Sequence, residues 1–217
     1  SLCYNKNTLK NLNSPDERAE NPAQIRLFFS KVCKKGEKFM ELNIGQKVAY
    51  PNQGVCLVES IQKRNIGDNS MKFYYLRVLS DNSTIFVPME NAESVGIRPI
   101  ICSEEYKRLM NSLRKDFSEV SSDWKTRSRE YNEKLQSGDV FEAADVLKKL
   151  TFLSHEKKLS FREQTLLDKA KFLLVSEIAN AALADEEKIE EKINKLVESA
   201  CHKHLVSQPQ IMVANAH

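Results

Sequence analysis

Between about residue 44 and residue 99, short runs of β-branched, aromatic and aliphatic residues alternate with turn-forming residues. Such runs are typical of β-strands. The four predicted strands are Lys47–Tyr50, Val55–Ile61, Phe73–Leu79 and Thr84–Val87. The segments between them are rich in Asn, Asp, Gly and Ser, which favour turns. Four or five strands in so short a segment are too few for a sandwich, so we expect a small barrel of the Tudor or SH3 type.

After residue 99 the apolar residues recur at helical spacing, which predicts about five helices. Their predicted first or capping residues are, in chain order, Ser103, Trp124, Asp139, Ser160 and Asp185. Gly138 is expected to end the second helix, and Ser160 with Glu163 matches a capping box for the fourth. The first helix is expected to extend its apolar face as far as Phe117.

These patterns predict an α+β fold with two domains. A small Tudor/SH3-like β-barrel is expected over residues 40–99, and an all-α domain of about five helices over residues 100–206. Residues 1–39 are interpreted as an N-terminal extension, disordered in part, and residues 207–217 as a mobile tail. A short helix with Pro22 at its first position is a further hypothesis for the extension.

The net charge of +3 is concentrated in this extension. Residues 1–39 contain 8 basic and 4 acidic side chains, whereas residues 40–217 contain 25 basic and 26 acidic ones. The predicted domains therefore lack a global basic field for nucleic acid. No apolar stretch approaches the roughly 18 residues of a membrane span, and no apolar leader is apparent. The sequence thus predicts a soluble, cytoplasmic protein with no membrane partner.

The residue types that carry out catalysis or hold metals do not form a recognisable motif. Neither a phosphate-binding loop nor a nucleophile with its base is apparent, so the sequence predicts no enzyme and no cofactor. The five cysteines are widely spaced and are expected to be reduced thiols. Cys201, His202 and His204 could hold a metal, but a solvated helix end is the favoured interpretation because no second cluster completes the ligand set.

The only tryptophan, Trp124, lies in a basic setting at the start of the second predicted helix. Lys125, Arg127 and Arg129 follow within five positions. These basic side chains could neutralise phosphates, while the indole could stack on a base or wedge into a groove. Trp124 also shares a helical stripe with Tyr131, and periodicity alone favours a place in the core.

Several separated motifs resemble the CarD/CdnL family of bacterial transcription regulators. Gly45–Val55 is similar to the opening of the polymerase-interacting domain that this family shares with transcription-repair coupling factors, and Val87–Arg98 is similar to its close. In the helical half, Trp124–Asp139 and Leu159–Glu177 follow in the family order. The resemblance covers about residues 42–184.

The resemblance implies that the Tudor-like barrel binds the β subunit of RNA polymerase. Arg64, Ile66 and Phe86 match the polymerase-facing positions. Phe86 is a departure, because some family members carry arginine there. Without the resemblance, Arg64 could equally be a plain solvent-facing strand residue.

The resemblance also implies that the helical domain lies at the upstream edge of the transcription bubble. Trp124 would be a minor-groove wedge that keeps melted DNA from closing. Arg127 and Arg129 match family basic positions that contact the DNA backbone, which adds affinity without reading sequence. Thr126 stands where a basic residue is common in the family, which predicts a weaker grip on phosphates.

The resulting hypothesis is a monomeric transcription-initiation regulator that binds the polymerase β subunit and promoter DNA and stabilises the open promoter complex. No recognition helix with base-reading residues is apparent, so DNA binding is expected in the minor groove and without sequence specificity. The alternative is an adaptor that binds polymerase, or another protein, without productive DNA contact.

Overall fold

The computed structural model describes residues 41–66 and 69–207, and the predictions for residues 1–39 and 208–217 lie outside this part of the chain. An antiparallel sheet is followed by five helices in the described residues, which confirms the predicted α+β fold. None of the described helices is both long enough and apolar enough to cross a membrane.

The sheet has five strands in the order β4-β3-β2-β1-β5, and every neighbouring pair is antiparallel. The strands are β1 (Lys47–Tyr50), β2 (Gly54–Ile66), β3 (Asn69–Val78), β4 (Thr84–Pro88) and β5 (Arg98–Pro99). A 3₁₀ helix at Met89–Asn91 follows β4 directly. β1 has the predicted bounds, and β5 closes the edge beside it.

β2 and β3 extend further than the sequence predicts. They form a hairpin whose register runs from Cys56 opposite Val78 to Ile66 opposite Asn69. The side chains of residues 61–65 are exposed, so burial of apolar residues does not mark this part of the strand. The ladder of backbone hydrogen bonds holds it instead.

The inner face of the sheet encloses a small apolar core. Tyr74 is buried there, and its hydroxyl accepts a hydrogen bond from the backbone N–H of Leu42 at 3.1 Å. A buried tyrosine hydroxyl requires such a partner, and this one ties the segment before β1 to β3. The buried residues of this core are Leu42, Val48, Cys56, Val58, Tyr74, Leu76, Val78, Val87, Ala92 and Ile97.

The helices of the described chain begin close to the predicted positions. They are α1 (Ser103–Arg114), α2 (Trp124–Gln136), α3 (Val140–Glu156), α4 (Phe161–Ala182) and α5 (Glu186–Ser207). The Asp139 side chain caps α3 by accepting a hydrogen bond from the backbone N–H of Phe141. Ser160 forms the predicted capping box with Glu163. Ser103 is the first residue of α1 rather than its cap, since Cys102 occupies the N-cap position.

The predicted extension of α1 to Phe117 is wrong, because the helix ends at Arg114. Phe117 nevertheless packs against the core that the helices share, and its ring meets that of Phe152 edge-on at 5.7 Å between centroids. The apolar periodicity therefore identified a core residue correctly but assigned it to the wrong backbone conformation.

Lys148 stabilises the end of α1 from inside the helical core. Its side chain is buried, and its Nζ donates to the carbonyl oxygens of Ser112 at 3.0 Å and Lys115 at 3.3 Å. The last carbonyls of a helix lack partners within the helix, so a buried cation at this point satisfies them.

Sheet and helices pack together as one compact unit, and Arg98 of β5 lies at their junction. Its guanidinium makes a two-pronged ion pair with Glu177 of α4, with Nη2 at 2.8 Å from Oε2. Nε of Arg98 also donates to the Gly138 carbonyl oxygen at 2.8 Å, between α2 and α3. Glu177 accepts a further hydrogen bond from the backbone N–H of Ile101 at 3.1 Å. This pair joins the last strand to α4, and Arg98 also joins it to the loop between α2 and α3.

Close packing at Gly54 completes the junction. Gly54 has φ of +84°, and a β-carbon there would lie 3.1 Å from Cε1 of Phe172 and 3.2 Å from Oγ of Ser176. A larger residue would therefore be strained and would also push β2 away from α4. Nearby, Nζ of Lys47 donates to Oδ1 of Asn180 at 2.9 Å.

We expect Glu177→Gln to lower the free energy of unfolding by about 3 kcal/mol, because it leaves the guanidinium of Arg98 without its counter-charge in a partly buried site. Urea unfolding of the purified protein measures this loss. The matched control is Glu59→Gln, which breaks the exposed ion pair between Glu59 and Arg77. That change should cost less than about 1 kcal/mol. Equal losses in the two variants would show that the pair of Arg98 and Glu177 stabilises the fold no more than an exposed ion pair does.

Candidate nucleic-acid interface

α2 begins at Trp124 because Asp123 caps it. The Asp123 carboxylate accepts hydrogen bonds from the backbone N–H groups of Lys125 at 3.2 Å and Thr126 at 3.1 Å, and from the Thr126 hydroxyl. These bonds lower the pKa of Asp123, and those from Thr126 contribute most. Thr126, the residue that departs from the family pattern, therefore stabilises the start of the helix.

Trp124 is 52% exposed at the first position of α2. Nζ of Lys125 lies 6.0 Å from the centre of its ring, a distance at which a cation and an indole still attract each other. The place in the core that periodicity favoured is therefore wrong, since half of the residue is accessible to solvent. A ligand can reach the indole without any rearrangement of the helix.

Arg127 is 2% exposed, in contrast to its predicted role at the DNA backbone. Its guanidinium donates to Oε1 of Glu163 at 2.6 Å and to the carbonyl oxygens of Ser121 and Ser122. A side chain enclosed in this way cannot reach a phosphate while the fold is intact. The prediction for Arg127 is corrected accordingly: the residue holds the start of α2 and the preceding loop in place.

Glu163 receives the other end of this buried ion pair. Burial alone would raise its pKa, but hydrogen bonds from Arg127 and from the N–H and hydroxyl of Ser160 outweigh burial and lower the pKa to about 2. One carboxylate thus completes the capping box of α4 and pairs with α2. The N-terminal ends of these two helices are consequently fixed beside each other.

Lys125 and Arg129 lie on the surface. Arg129 has only a loose ion pair with Glu133, at 3.8 Å between highly exposed side chains. Such pairs contribute little free energy, so Arg129 can exchange Glu133 for a phosphate. Lys125 is also exposed and lies four residues before Arg129, on the same face of α2.

The sheet presents a separate patch of predicted contacts. Arg64 is exposed, and its guanidinium carbon lies 5.3 Å from the ring centres of both Tyr75 and Phe86. Phe86 is 51% exposed and packs edge-on against Tyr75. Arg64 and Phe86 therefore form one exposed cation–aromatic patch. The side chain of Ile66 lies outside the described part of the structure.

The solvated helix end expected at residues 201–204 is corrected by the structure. Cys201 and His204 are buried, and the His204 ring stacks on Phe117 at 4.1 Å between centroids. Nδ1 of His204 also lies 2.6 Å from a carboxylate oxygen of Asp116. Across residues 41–66 and 69–207, no group of three or more His, Cys, Asp or Glu side chains is placed to hold a metal.

A second exposed aromatic side chain lies at the end of the helical domain that holds Trp124, and it was not predicted from the sequence. Phe161, the first residue of α4, is 87% exposed, and Lys157, Lys158 and Arg162 beside it in the chain are exposed too. Phe161 is out of phase with the buried apolar residues of α4, which begin at Leu166. That phase difference is the signal in the sequence that could have identified it.

Both halves of the described chain match known families. Residues 42–101 match the CarD-like/TRCF RID domain, and residues 108–194 match the CarD C-terminal domain. The first match contains the sheet with its Arg64–Phe86 patch, and the second contains α2 with Trp124.

Two individual proteins are similar to this chain. A curated protein of Bacillus subtilis (strain 168), named "Putative transcription factor YdeB", is 28% identical over 135 residues, which are 62% of this chain and 88% of that protein. The solution NMR structure of the 72-residue N-terminal domain of Myxococcus xanthus CarD is 31% identical. That comparison covers 30% of this chain and 87% of that domain, with a TM-score of 0.25.

The two family matches define a transcription regulator with an RNA polymerase-interacting domain at its N-terminal side. The chain belongs to the CarD-like family. The resemblance carried by the sequence motifs is thereby confirmed, and the family is one of transcription factors.

The buried pair of Arg127 and Glu163 predicts a pH dependence of stability. The pKa of Glu163 is lower in the folded chain than in the unfolded one, so its contribution is present above the unfolded pKa of about 4.5 and is lost as the pH falls toward about 2. Wild type should therefore have a higher free energy of unfolding than Glu163→Gln at pH 6, and this difference should shrink by roughly 2 kcal/mol between pH 6 and pH 3. Urea unfolding at both pH values measures this difference.

Glu133→Gln is the matched control, since Glu133 pairs with Arg129 at the surface of the same helical domain. It should change the free energy of unfolding at pH 6 by less than about 1 kcal/mol. If the difference in free energy of unfolding between wild type and Glu163→Gln stays constant with pH, the ion pair does not stabilise the fold as expected.

Proposed function

We propose that this protein binds the β subunit of RNA polymerase through its sheet and stabilises the open promoter complex through the N-terminal end of α2. The observation that carries the proposal is the half-exposed Trp124, at a helix start that a buried ion pair holds in place. An indole in this setting suits insertion at an opened base step, where it replaces stacking lost on melting.

The surroundings of Trp124 support a DNA ligand. Lys125 and Arg129 are exposed on one face of α2 and can neutralise phosphates near an inserted ring. The Asp123 cap and the Arg127–Glu163 pair fix the backbone that carries the indole. Little conformational entropy is therefore lost when Trp124 engages DNA.

The exposed patch of Arg64 and Phe86 supports the polymerase contact. Arginine and aromatic residues dominate the energetic centres of protein interfaces because they bury a large area and keep specific geometry. The family of the sheet domain supports polymerase as the partner. Phe86 contributes apolar area at a position where some relatives contribute charge, so the interface here should be less sensitive to salt.

The physical mechanism is a difference in affinity between two states of the promoter. A factor that bound duplex and melted promoter equally well would not shift the equilibrium between them. Residues 40–217 have no basic excess, since they contain 25 basic and 26 acidic side chains. Weak DNA contacts become effective when polymerase raises the local concentration of the helical domain at the bubble.

Trp124→Ala should shorten the half-life of the open complex that polymerase forms with the protein by roughly 5- to 100-fold, the range expected when one base–aromatic contact is lost. The loss should occur without a change in polymerase binding, since Trp124 lies in the helical domain and not in the sheet. Competitor-challenged promoter complexes, with and without the protein, give the half-lives.

The control is Leu183→Ala, which removes another exposed apolar side chain beyond the far end of α4. It should leave the half-life unchanged. If folded Trp124→Ala still binds polymerase and prolongs open complexes as well as wild type, the protein acts as an adaptor without productive DNA contact.

Arg64→Glu should abolish recovery of the polymerase β subunit in a pull-down, because it places a negative charge at the centre of the exposed patch. The fold should survive, since an exposed cation–aromatic contact contributes only about 0.5–1 kcal/mol. Lys63→Glu makes the same change in charge on the other face of β2, because neighbouring strand residues point to opposite sides. Equal recovery with both variants would defeat this assignment of the interface.

A further inference from the structure

The buried ion pair between α2 and α4 places two exposed aromatic residues at one end of the helical domain. Trp124 lies three residues before Arg127, and Phe161 lies two residues before Glu163. With a rise of about 1.5 Å per residue, each aromatic residue is within about 5 Å of the pair along its own helix. Both aromatic residues therefore begin helices whose N-terminal ends lie beside each other.

Phe161 is an unusual residue for this position. The capping box needs only Ser160 and Glu163, and the buried stripe of α4 is formed by other residues. A phenylalanine that is 87% exposed contributes little to folding, because its apolar surface stays in water. Burial of this ring against a partner would add free energy to binding of that partner.

The charges around this end of the helical domain favour a polyanionic partner. In residues 118–129 and 156–165, the exposed acidic residues are Glu119, Asp123 and Glu156, and Glu163 is buried against Arg127. Five exposed basic residues lie in the same two segments, and they are Lys125, Arg129, Lys157, Lys158 and Arg162. Aromatic side chains among basic ones are the combination that binds single-stranded nucleic acid, by stacking and phosphate neutralisation together.

We infer that Phe161 is a second aromatic contact with promoter DNA, and that it stacks on an unpaired base of the opened strand. This inference rests on the proposed function and deepens it. Lys157, Lys158 and Arg162 would neutralise the phosphates that flank this base. The two helix starts together then form a contact that only melted DNA can fill, because a paired base does not expose its face to Phe161.

The test compares open-complex half-lives for wild type, Phe161→Ala, Phe161→Tyr and Trp124→Ala with purified polymerase and a linear promoter fragment. Phe161→Ala should shorten the half-life roughly fivefold or more, the effect of one lost base–aromatic stack. Phe161→Tyr keeps the aromatic face and should retain most of the wild-type half-life. Leu183→Ala, more than 20 residues further along the chain, is the control for loss of an exposed apolar side chain.

A crosslinking experiment identifies what covers the ring. With p-benzoylphenylalanine in place of Phe161, ultraviolet light should link the full chain to a promoter strand in the open complex. Links to a polymerase subunit or within the chain itself, or an unchanged half-life for Phe161→Ala, would overturn the inference. If Phe161→Ala has no effect while Trp124→Ala does, only this inference fails. If neither has an effect, the proposed function fails as well.

Discussion

The ion pair between Arg98 and Glu177 is the interaction on which the rest of the structure depends. Arg98 belongs to the last strand, and Glu177 lies in the longest stretch of buried α4 residues. Removing either charge would leave the other uncompensated in a partly buried site, which is far less favourable than losing a surface pair. Because the pair also engages Gly138 and Ile101, it fixes the sheet on the helical domain, and with it the Arg64–Phe86 patch relative to Trp124.

The helical domain separates basic residues that build the fold from those that can meet DNA. Arg127 and Lys148 are buried, where they hold a helix start and a helix end. Lys125 and Arg129 are exposed to solvent. The ion pair between Arg129 and Glu133 is long and exposed, so it is weaker than the buried pair of Arg127. An exposed indole is useful only if its backbone is rigid, so the buried arginine supports the function of Trp124 without touching DNA itself.

The local part of this structure could be predicted from the sequence, because it depends on near neighbours in the chain. β1 has its predicted bounds, and Ser160 caps α4 with Glu163 as expected. The burial of Arg127 could not be predicted in this way, since its partner lies 36 residues away in another helix. The same limit applies to the exposure of Trp124: periodicity gives a face of a helix, whereas neighbouring elements decide whether that face is covered.

In the proposed function the sheet tethers the DNA contact to polymerase, so both surfaces are needed to stabilise the open complex. A double-mutant cycle tests it directly, with open-complex half-life measured for wild type, Arg64→Glu, Trp124→Ala and the combined variant at one concentration. We expect Trp124→Ala to have no further effect in the Arg64→Glu background, because an untethered helical domain no longer reaches the bubble. Shortening of the half-life by the same factor in both backgrounds would show that the DNA contact works without the tether and would contradict the account.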